Sequence, residues 1–366
     1  MRAALLVEAN RPFDLVDDLE IAEPRPGQVR VRVTHCGLCH SDLTAIAGGF
    51  GTPFPVVLGH EAAGEVESIG DGVTSVSPGD KVIITPMPSC GRCHACVTGH
   101  PSVCVEAAVW PTGLFADGTS PFRWRDDLVY RGNGIGALTE LTVVDAVAAI
   151  KVPEDTPLEL ACLIGCAIQT GVGAVLNAAD VPAGSTVLVM GLGGIGQSVV
   201  QGARIAGASR IIVSDPLPER REIAMAAGAT DAIDPNEHDV VREVRNLTNR
   251  QGVDYAFDAA GNPDLVATGV RATAPGGAVV LVGAPPMTAT LDGVLHGQVI
   301  GQEKRLIGTV TGSCNAARDF PRFVALWRVG ALDLDLMVSA RRPLDEINEG
   351  FDDLRAGRGI RTVLIL

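Results

Sequence analysis

Four cysteines fall within 15 residues: Cys90-Gly-Arg-Cys93-His-Ala-Cys96, then Cys104 after seven more positions. Four thiolates so spaced can close a loop around one tetrahedral Zn²⁺ and leave no position for a substrate. The stretch is rich in Gly, His and Arg and has little apolar sequence to bury idle thiols, so 88–106 reads as a structural zinc lobe. A second motif, Gly191-Leu-Gly193-Gly194-Ile195-Gly196, follows an apolar run and opens a helical one. In a dinucleotide site Gly191 permits the tight turn, Gly193 lets the backbone approach a pyrophosphate, and Gly196 allows close helix–strand packing. The N–H groups at the helix start, at Gly194 and Ile195, then meet the phosphates. Asp215 ends the next strand, 19 residues past Gly196. There a carboxylate accepts from the adenosine ribose hydroxyls and repels a 2′-phosphate, which predicts NAD. Arg220 and Arg221 lie close enough to leave a 2′-phosphate conceivable, and Arg220 is a further candidate cofactor contact.

The elements that must hold these donors change along the chain. Over the first 150 residues, short apolar or alternating runs at 29–33, 64–69 and 81–84 are bounded by Pro-Gly, Gly-Asp and Pro-Gly-Asp turn signals, and read as β structure. From Thr186 the pattern is strand (187–190), glycine turn (191–196), helix (195–206) and strand (210–214), a βαβ unit. Strands expected at 254–258, 278–282 and 305–310 alternate with helical stretches, as a parallel doubly wound sheet requires. Helices at 319–329 and 345–355 and a strand at 361–366 are too little for a separate core, so they are expected to pack back onto the N-terminal domain.

At 366 residues the chain has room for about two domains. With 46% hydrophobic residues, 43 glycines and 20% charged residues it is globular in composition. The 43 acidic and 29 basic residues leave −14, which argues against nucleic acid or an anionic membrane as partner. No apolar run reaches about 18 residues, and the run at 3–7 is too short for a signal-peptide core, so a cytoplasmic protein is expected. Nine cysteines, an odd count, then read as metal ligands before disulfides.

Three donors remain: Cys39 in CGLCHSD, His60 beside Glu61 in GHE, and Cys166 in LIGC. Singly, such residues are more often core than ligand. Together, two thiolates and an imidazole form the donor set of the alcohol dehydrogenase catalytic zinc, three protein ligands with a fourth position open. The motifs CGLCHSDL, GHEAAGEVESIGDGV, PGDKV, CGRCHAC, LIGC, GLGGIG and IRTVLIL stand in the order and spacing of that family. Over essentially its whole length the chain resembles the zinc-dependent medium-chain alcohol dehydrogenases.

The resemblance implies an α/β architecture: a GroES-like β-rich catalytic domain (1–167 and 311–366) and a doubly wound Rossmann coenzyme domain (168–310), with the active site in the cleft between them. It implies two zinc ions per subunit, one catalytic on Cys39, His60 and Cys166, one structural on Cys90, Cys93, Cys96 and Cys104. Glu61 matches a carboxylate that approaches the metal during ligand exchange, and Asp42 the acid that holds the His60 ring and fixes its tautomer. Ser41 matches the hydroxyl that takes the alcohol proton, His40 and Arg361 cationic contacts to the cofactor pyrophosphate, and Thr170 a contact near the nicotinamide. The implied chemistry is reversible hydride transfer to NAD from a zinc-bound alkoxide, interconverting primary or aromatic alcohols and aldehydes.

Two departures bear on that chemistry. Where liver-type members end a proton relay in histidine, this chain has Thr44, which passes a proton but cannot hold one near neutral pH. Where many relatives put a bulky aromatic beside the substrate, it has Pro86, while Phe50, Val109 and Trp110 fall at pocket-lining positions or serve the core. Three other readings stay open. A mycothiol- or glutathione-dependent formaldehyde dehydrogenase shares the machinery, although Ala108 replaces the arginine of glutathione-dependent relatives. A nicotinoprotein that retains NAD(H) resembles the C-terminal third, and a non-catalytic NAD- and zinc-binding protein is the reading from another class. Cys36, Cys162 and Cys314 read as core, and His35, His94, His100, His238 and His296 as surface or structural residues. The sheet edge at 305–310 predicts self-association, and the resemblance to the longer-loop branch of the family implies a homodimer before a tetramer.

Overall fold

The strand Gln28–Gly37 shows why the N-terminal sequence makes sheet: Val29, Val31 and Val33 are buried while Arg30 and Arg32 turn toward solvent, where both pair with Glu67 of the neighbouring strand. That period of two is a half-buried strand packing one face on a core. The computed structural model describes residues 1–106, 112–286, 288–294 and 296–366. The chain divides into two compact units, one of Met1–Cys166, Asn315–Leu326 and Val338–Leu366, the other of Ala167–Cys314 and Trp327–Met337.

In the first unit a seven-stranded sheet runs Ala149–Lys151, Lys81–Ile84, Glu61–Ile69, Gln28–Gly37, Arg361–Ile365 and Val338–Pro343, with Leu141–Asp145 also paired to Gln28–Gly37. The C-terminal strand enters this sheet antiparallel to Gln28–Gly37, Val363 opposite Gly37 and Leu364 opposite Cys36. A second sheet, of strands two to five residues long, contains Ala3–Leu6, Val56–Val57 and Asp127–Arg131. Its fully buried Leu5, Leu6 and Val57 share one core with Val29, Val31 and Ile84. Each such side chain contributes roughly 1.5–3 kcal/mol by leaving water.

The second unit holds a six-stranded, all-parallel sheet in the order Asp231–Ile233, Arg210–Ser214, Thr186–Met190, Val253–Asp258, Thr273–Leu281, Arg305–Gly308. In chain order this is 3-2-1-4-5-6, the doubly wound order that leaves a crevice at the carboxyl end of its first strand. Val187, Val189, Ile211 and Phe257 enter one core, and Leu188, Met190, Ile212 and Ala256 another on the opposite face. Burial on both faces explains why these strands read as unbroken apolar runs rather than alternation.

The segment Trp327–Met337, expected with the catalytic domain, belongs instead to the second unit. There the Gln201 side chain donates to the Asp333 carbonyl at 2.9 Å and accepts from its N–H at 2.7 Å, Arg204 donates to the Ala331 carbonyl at 2.9 Å, and Leu336 packs on the core. The last parallel strand stops at Gly308, two residues short of the expected 310. No single helix among the described residues is long and apolar enough to cross a membrane.

Candidate active site

Cys39 is the residue before the helix His40–Ile46, and its N–H donates to Asp42 Oδ2 at 3.2 Å, so the third residue of the helix anchors the turn that carries the thiol. His60 precedes Glu61–Ile69, and antiparallel pairing sets Glu61 opposite Gly37, which brings Cys39 and His60 to the same end of the sheet. Cys166 follows the turn Cys162–Gly165; a Cβ on Gly165 would lie 2.9 Å from the Ile84 carbonyl, so only glycine lets this turn approach the sheet so closely. Three separate segments thus place Cys39, His60 and Cys166, all buried, with their donor atoms within 4.8 Å of one another.

The two sulfurs are 4.0 Å apart, and buried His60 Nε2 has no hydrogen-bond partner. Zinc–sulfur bonds of about 2.3 Å in tetrahedral geometry put sulfurs about 3.8 Å apart, so the group fits a zinc ion that would take the orphaned nitrogen as its third ligand. His60 Nδ1 faces Asp42 Oδ1 at 3.1 Å. An ionised carboxylate only accepts, so these partners put the ring hydrogen on Nδ1 and leave the Nε2 lone pair toward the sulfurs. The Cys39 thiol lies well below its ordinary value, chiefly through the hydrogen bond from Cys166 and, against burial, through Arg361 and His60. A depressed thiol is a ready thiolate ligand.

Glu61 is fully buried, and burial pushes its carboxyl up to about 7 although the Arg361 charge pulls the other way. Arg361 Nη2 lies 3.2 Å from Glu61 Oε1 and 3.7 Å from Cys39 Sγ. Burial works against the Arg361 charge, yet Glu61, Cys39 and Cys166 hold its pKa raised. Ser41 is half-buried, its Oγ 3.8 Å from Cys39 Sγ. His40 is exposed at the start of the helix, and the exposed Thr44 donates its hydroxyl to the His40 carbonyl at 3.2 Å. Phe50 is partly buried against the core of the first unit. Ala108, Val109 and Trp110 lie outside the described residues.

Cys90, Cys93, Cys96 and Cys104 also converge, every sulfur within 4.8 Å of the others and Cys93 Sγ 3.8 Å from Cys104 Sγ. Backbone N–H groups of Arg92 and Cys93 donate to Cys90 Sγ at 3.5 and 3.3 Å, and that of Cys90 to Cys104 Sγ at 3.4 Å. A thiolate accepts such bonds readily, and the four-sulfur set fits a closed tetrahedral zinc.

In the second unit Gly191 has φ +85°, a left-handed turn at the end of Thr186–Met190, and a Cβ on Gly196 would overlap the Gly191 carbonyl. Gly193 precedes the helix Gly194–Ile205 and has open space on its Cβ side, with Arg220 Nη1 4.0 Å from that point. Asp215 is buried; its Oδ2 accepts from Leu192 N at 2.7 Å and its Oδ1 from Leu217 N at 2.9 Å, so it braces the glycine turn. Arg221 is engaged by Asp234 at 3.0 Å and donates to the Asp215 carbonyl. Thr170 is buried within the helix Ala167–Gly173.

Two residues at these sites carried no signal in the sequence. Gln197 Nε2 donates to the Leu192 and Arg220 carbonyls, at 3.2 and 2.8 Å, and so ties the glycine turn to Arg220. Asn133 Nδ2 lies 3.0 Å from Asp42 Oδ1 and 2.9 Å from His60 Nδ1.

Residues 25–154 match the alcohol dehydrogenase GroES-like domain family, and residues 194–328 the zinc-binding dehydrogenase family. The solved alcohol dehydrogenase zinc-binding domain protein of Burkholderia ambifaria is 35% identical, with a TM-score of 0.95 over 100% of this chain and 98% of its own. The chain belongs to the zinc-dependent alcohol dehydrogenase family. Benzyl alcohol dehydrogenase of Acinetobacter calcoaceticus, another solved member, is 31% identical, with a TM-score of 0.94 over 100% of this chain and 99% of its own. A zinc-binding dehydrogenase of Sinorhizobium meliloti, solved bound to NADP, is 28% identical, with a TM-score of 0.81 over 100% and 99%. As an alcohol dehydrogenase of the zinc-binding type the protein is an oxidoreductase, built from a GroES-like unit and a parallel doubly wound unit.

Proposed function

We propose that this dehydrogenase uses NAD to interconvert primary or aromatic alcohols and their aldehydes, with one catalytic and one structural zinc in each subunit. The observation that carries this reading is the buried meeting of Cys39 Sγ, Cys166 Sγ and the unpartnered His60 Nε2. Three protein donors hold a tetrahedral metal and leave one position for a substrate oxygen, whereas the four cysteines of the lobe leave none. A zinc ion on the three donors supplies Lewis-acid polarisation of the alcohol oxygen, and the nicotinamide supplies the hydride acceptor.

The chain's own groups do the rest. Asp42 holds the His60 ring so that Nε2 faces the metal position. Ser41, whose Oγ is 3.8 Å from Cys39 Sγ, takes the alcohol proton in this reading. Thr44 has its hydroxyl hydrogen on the His40 carbonyl, so the proton leaves Ser41 by another route than a histidine relay. Arg361 balances Glu61 and the thiolates, and in the second unit the glycine turn, with open space at Gly193 beside Arg220, is the coenzyme contact. Asp215 favours NAD because its buried carboxylate would face a 2′-phosphate, and Arg221, occupied by Asp234, is not spare to neutralise one. The 31% identity to benzyl alcohol dehydrogenase favours aromatic alcohols. The sheet edge Arg305–Gly308 and the acidic charge fit a cytoplasmic homodimer that acts on small molecules rather than nucleic acid or membranes.

The test is reduction of NAD and NADP by the zinc-loaded protein with benzylic, allylic and aliphatic alcohols, alongside formaldehyde with mycothiol or glutathione. The expected result is turnover of free benzylic alcohols with NAD, and a shift toward NADP in Asp215→Ser. Turnover with the thiol adduct alone would replace this reading with the formaldehyde dehydrogenase. A reduced-nicotinamide band in the purified protein, with no exchange against added NAD, would make it a nicotinoprotein.

A further inference from the structure

We propose that Asn133 is a positioning residue of the metal centre: its side-chain amide completes the hydrogen-bond frame around Asp42 that keeps His60 Nε2 aimed at Cys39 and Cys166. The proposal rests on the zinc reading of that centre and adds a residue that touches neither metal nor substrate.

Asp42 is fully buried, and a buried carboxyl group is held in place, without a cost for unpaired polar atoms, only if its oxygens are filled by donors. Oδ2 accepts from Cys39 N at 3.2 Å; Oδ1 faces Gly59 N at 3.3 Å, His60 Nδ1 at 3.1 Å and Asn133 Nδ2 at 3.0 Å. Two of the four donors are backbone groups of the segments that carry Cys39 and His60. A third is the ring being positioned. Among the described residues the Asn133 amide is therefore the sole side-chain donor to Asp42 independent of the ligand segments. Its Nδ2 also lies 2.9 Å from His60 Nδ1; with the ring hydrogen on Nδ1 both are donors, so amide and ring share Asp42 Oδ1 as their common acceptor, and the amide holds that oxygen in place for the imidazole.

The backbone that presents this amide is itself built for the purpose. Asn133 is buried and left-handed, φ 53° and ψ 29°, a region asparagine tolerates better than most residues. It sits between Gly132 and Gly134 in a turn pressed against the segment leading to His60: a Cβ on Gly132 would lie 3.0 Å from both Leu58 Cα and the Val57 carbonyl. Arg131 pins the other side, donating from Nη1 to the Gly134 carbonyl at 3.0 Å while its guanidinium lies 3.6 Å from the centre of the Phe115 ring. The turn thus has fixed neighbours on both sides, and its one polar side chain points at the Asp42–His60 pair.

Two variants separate the amide from the turn. Asn133→Gly keeps the left-handed backbone and deletes the side chain; Asn133→Asp keeps size and backbone preference but sets an acceptor against Asp42. Zinc affinity is read by chelator competition on the full-length protein, with cobalt(II) absorption as a second signature of the three-donor site, and with kcat, KM for NAD and melting temperature measured alongside. The expected result is about 10–100-fold weaker metal binding at the Cys39–His60–Cys166 site. Asn133→Asp is at least as weak as Asn133→Gly, kcat falls, and KM for NAD and retention of the four-cysteine metal match the wild type. Wild-type affinity and cobalt spectrum in both variants would overturn the proposal, as would a lowered melting temperature without any loss of affinity. A wild-type protein that takes zinc only in the four-cysteine lobe would overturn the functional reading, and this one with it; two-site loading with unaffected variants overturns this one alone.

Discussion

The two groups of metal-ligating residues in the first unit reach similar geometry by opposite routes. The four-cysteine lobe draws its donors from 15 consecutive residues around the short helix His94–Val97 and the turn Pro101–Val103, and its apolar neighbourhood is the cysteines themselves with Ala95. The Cys39–His60–Cys166 site joins segments up to 127 residues apart, and every donor is buried on the main sheet. In the lobe the metal must hold the loop together, because little else does. At the buried site the sheet holds the donors, and the metal enters a place already shaped for it. A closed, metal-organised site suits stability, while an open, fold-organised one suits chemistry, where a donor that drifts costs rate.

The sharpest way to break this contrast is to remove one donor from each site. Cys39→Ala should abolish alcohol turnover, by about three orders of magnitude or more if the metal supplies several kcal/mol of transition-state stabilisation, with little change in melting temperature. Steady-state kinetics and thermal unfolding on the same sample check this; substantial turnover would mean the buried site is not catalytic. Cys104→Ser should do the reverse, lowering the melting temperature by about 5–10 °C while folded molecules keep their kcat. A large loss of kcat at unchanged stability would put chemistry in the lobe.

The buried site should also carry a pH signature from a carboxyl, where the lobe's shifted groups are thiols. In metal-stripped protein Glu61 titrates at about 7, above its ordinary 4.5, because burial disfavours its charge. The folded state then holds the proton more tightly than the unfolded chain. Glu61 therefore contributes stability that is fully present below pH 4.5 and is lost as the pH rises through about 7. Glu61→Gln should flatten that part of the stability profile in chemical denaturation across this range. An unchanged slope would show that Arg361 keeps the carboxylate ionised throughout.

The same contrast decides what could be read without the structure. The four cysteines and the glycine turn are sequence neighbours, so spacing alone exposes them. The parallel strands announce themselves because burial on both faces writes unbroken apolar runs such as Val187 to Met190. The three-residue strand Asp231–Ile233 is too short to write any pattern, and the two- and three-residue strands of the second N-terminal sheet share that silence. Trp327–Met337 was misplaced because what binds it, the Gln201 side chain, is 132 residues away. Cys39, His60 and Cys166 were legible only through family resemblance, since nothing local links them. Asn133 was not legible at all: it stands 91 residues from Asp42, and an asparagine between two glycines reads as an ordinary turn.

A milder pair of substitutions tests whether the partners of the donors matter as differently as the donors do. Asp42→Asn keeps the size of a fully buried group whose two oxygens face Cys39 N, Gly59 N, His60 Nδ1 and Asn133 Nδ2, and converts one of those acceptors to a donor. It should weaken zinc at the buried site about 10–100-fold by chelator competition, with the lobe's metal unaffected. The matching change in the lobe is Arg92→Ala, which removes the 2.9 Å ion pair with Glu106 beside the first cysteine. Both partners are exposed, and solvent screening leaves such pairs little net worth. Its zinc affinity and melting temperature should match the wild type. A clear loss of lobe zinc in Arg92→Ala would mean that the outer groups of the lobe also hold its ligands, and the division between a site organised by its metal and one organised by its fold would fail.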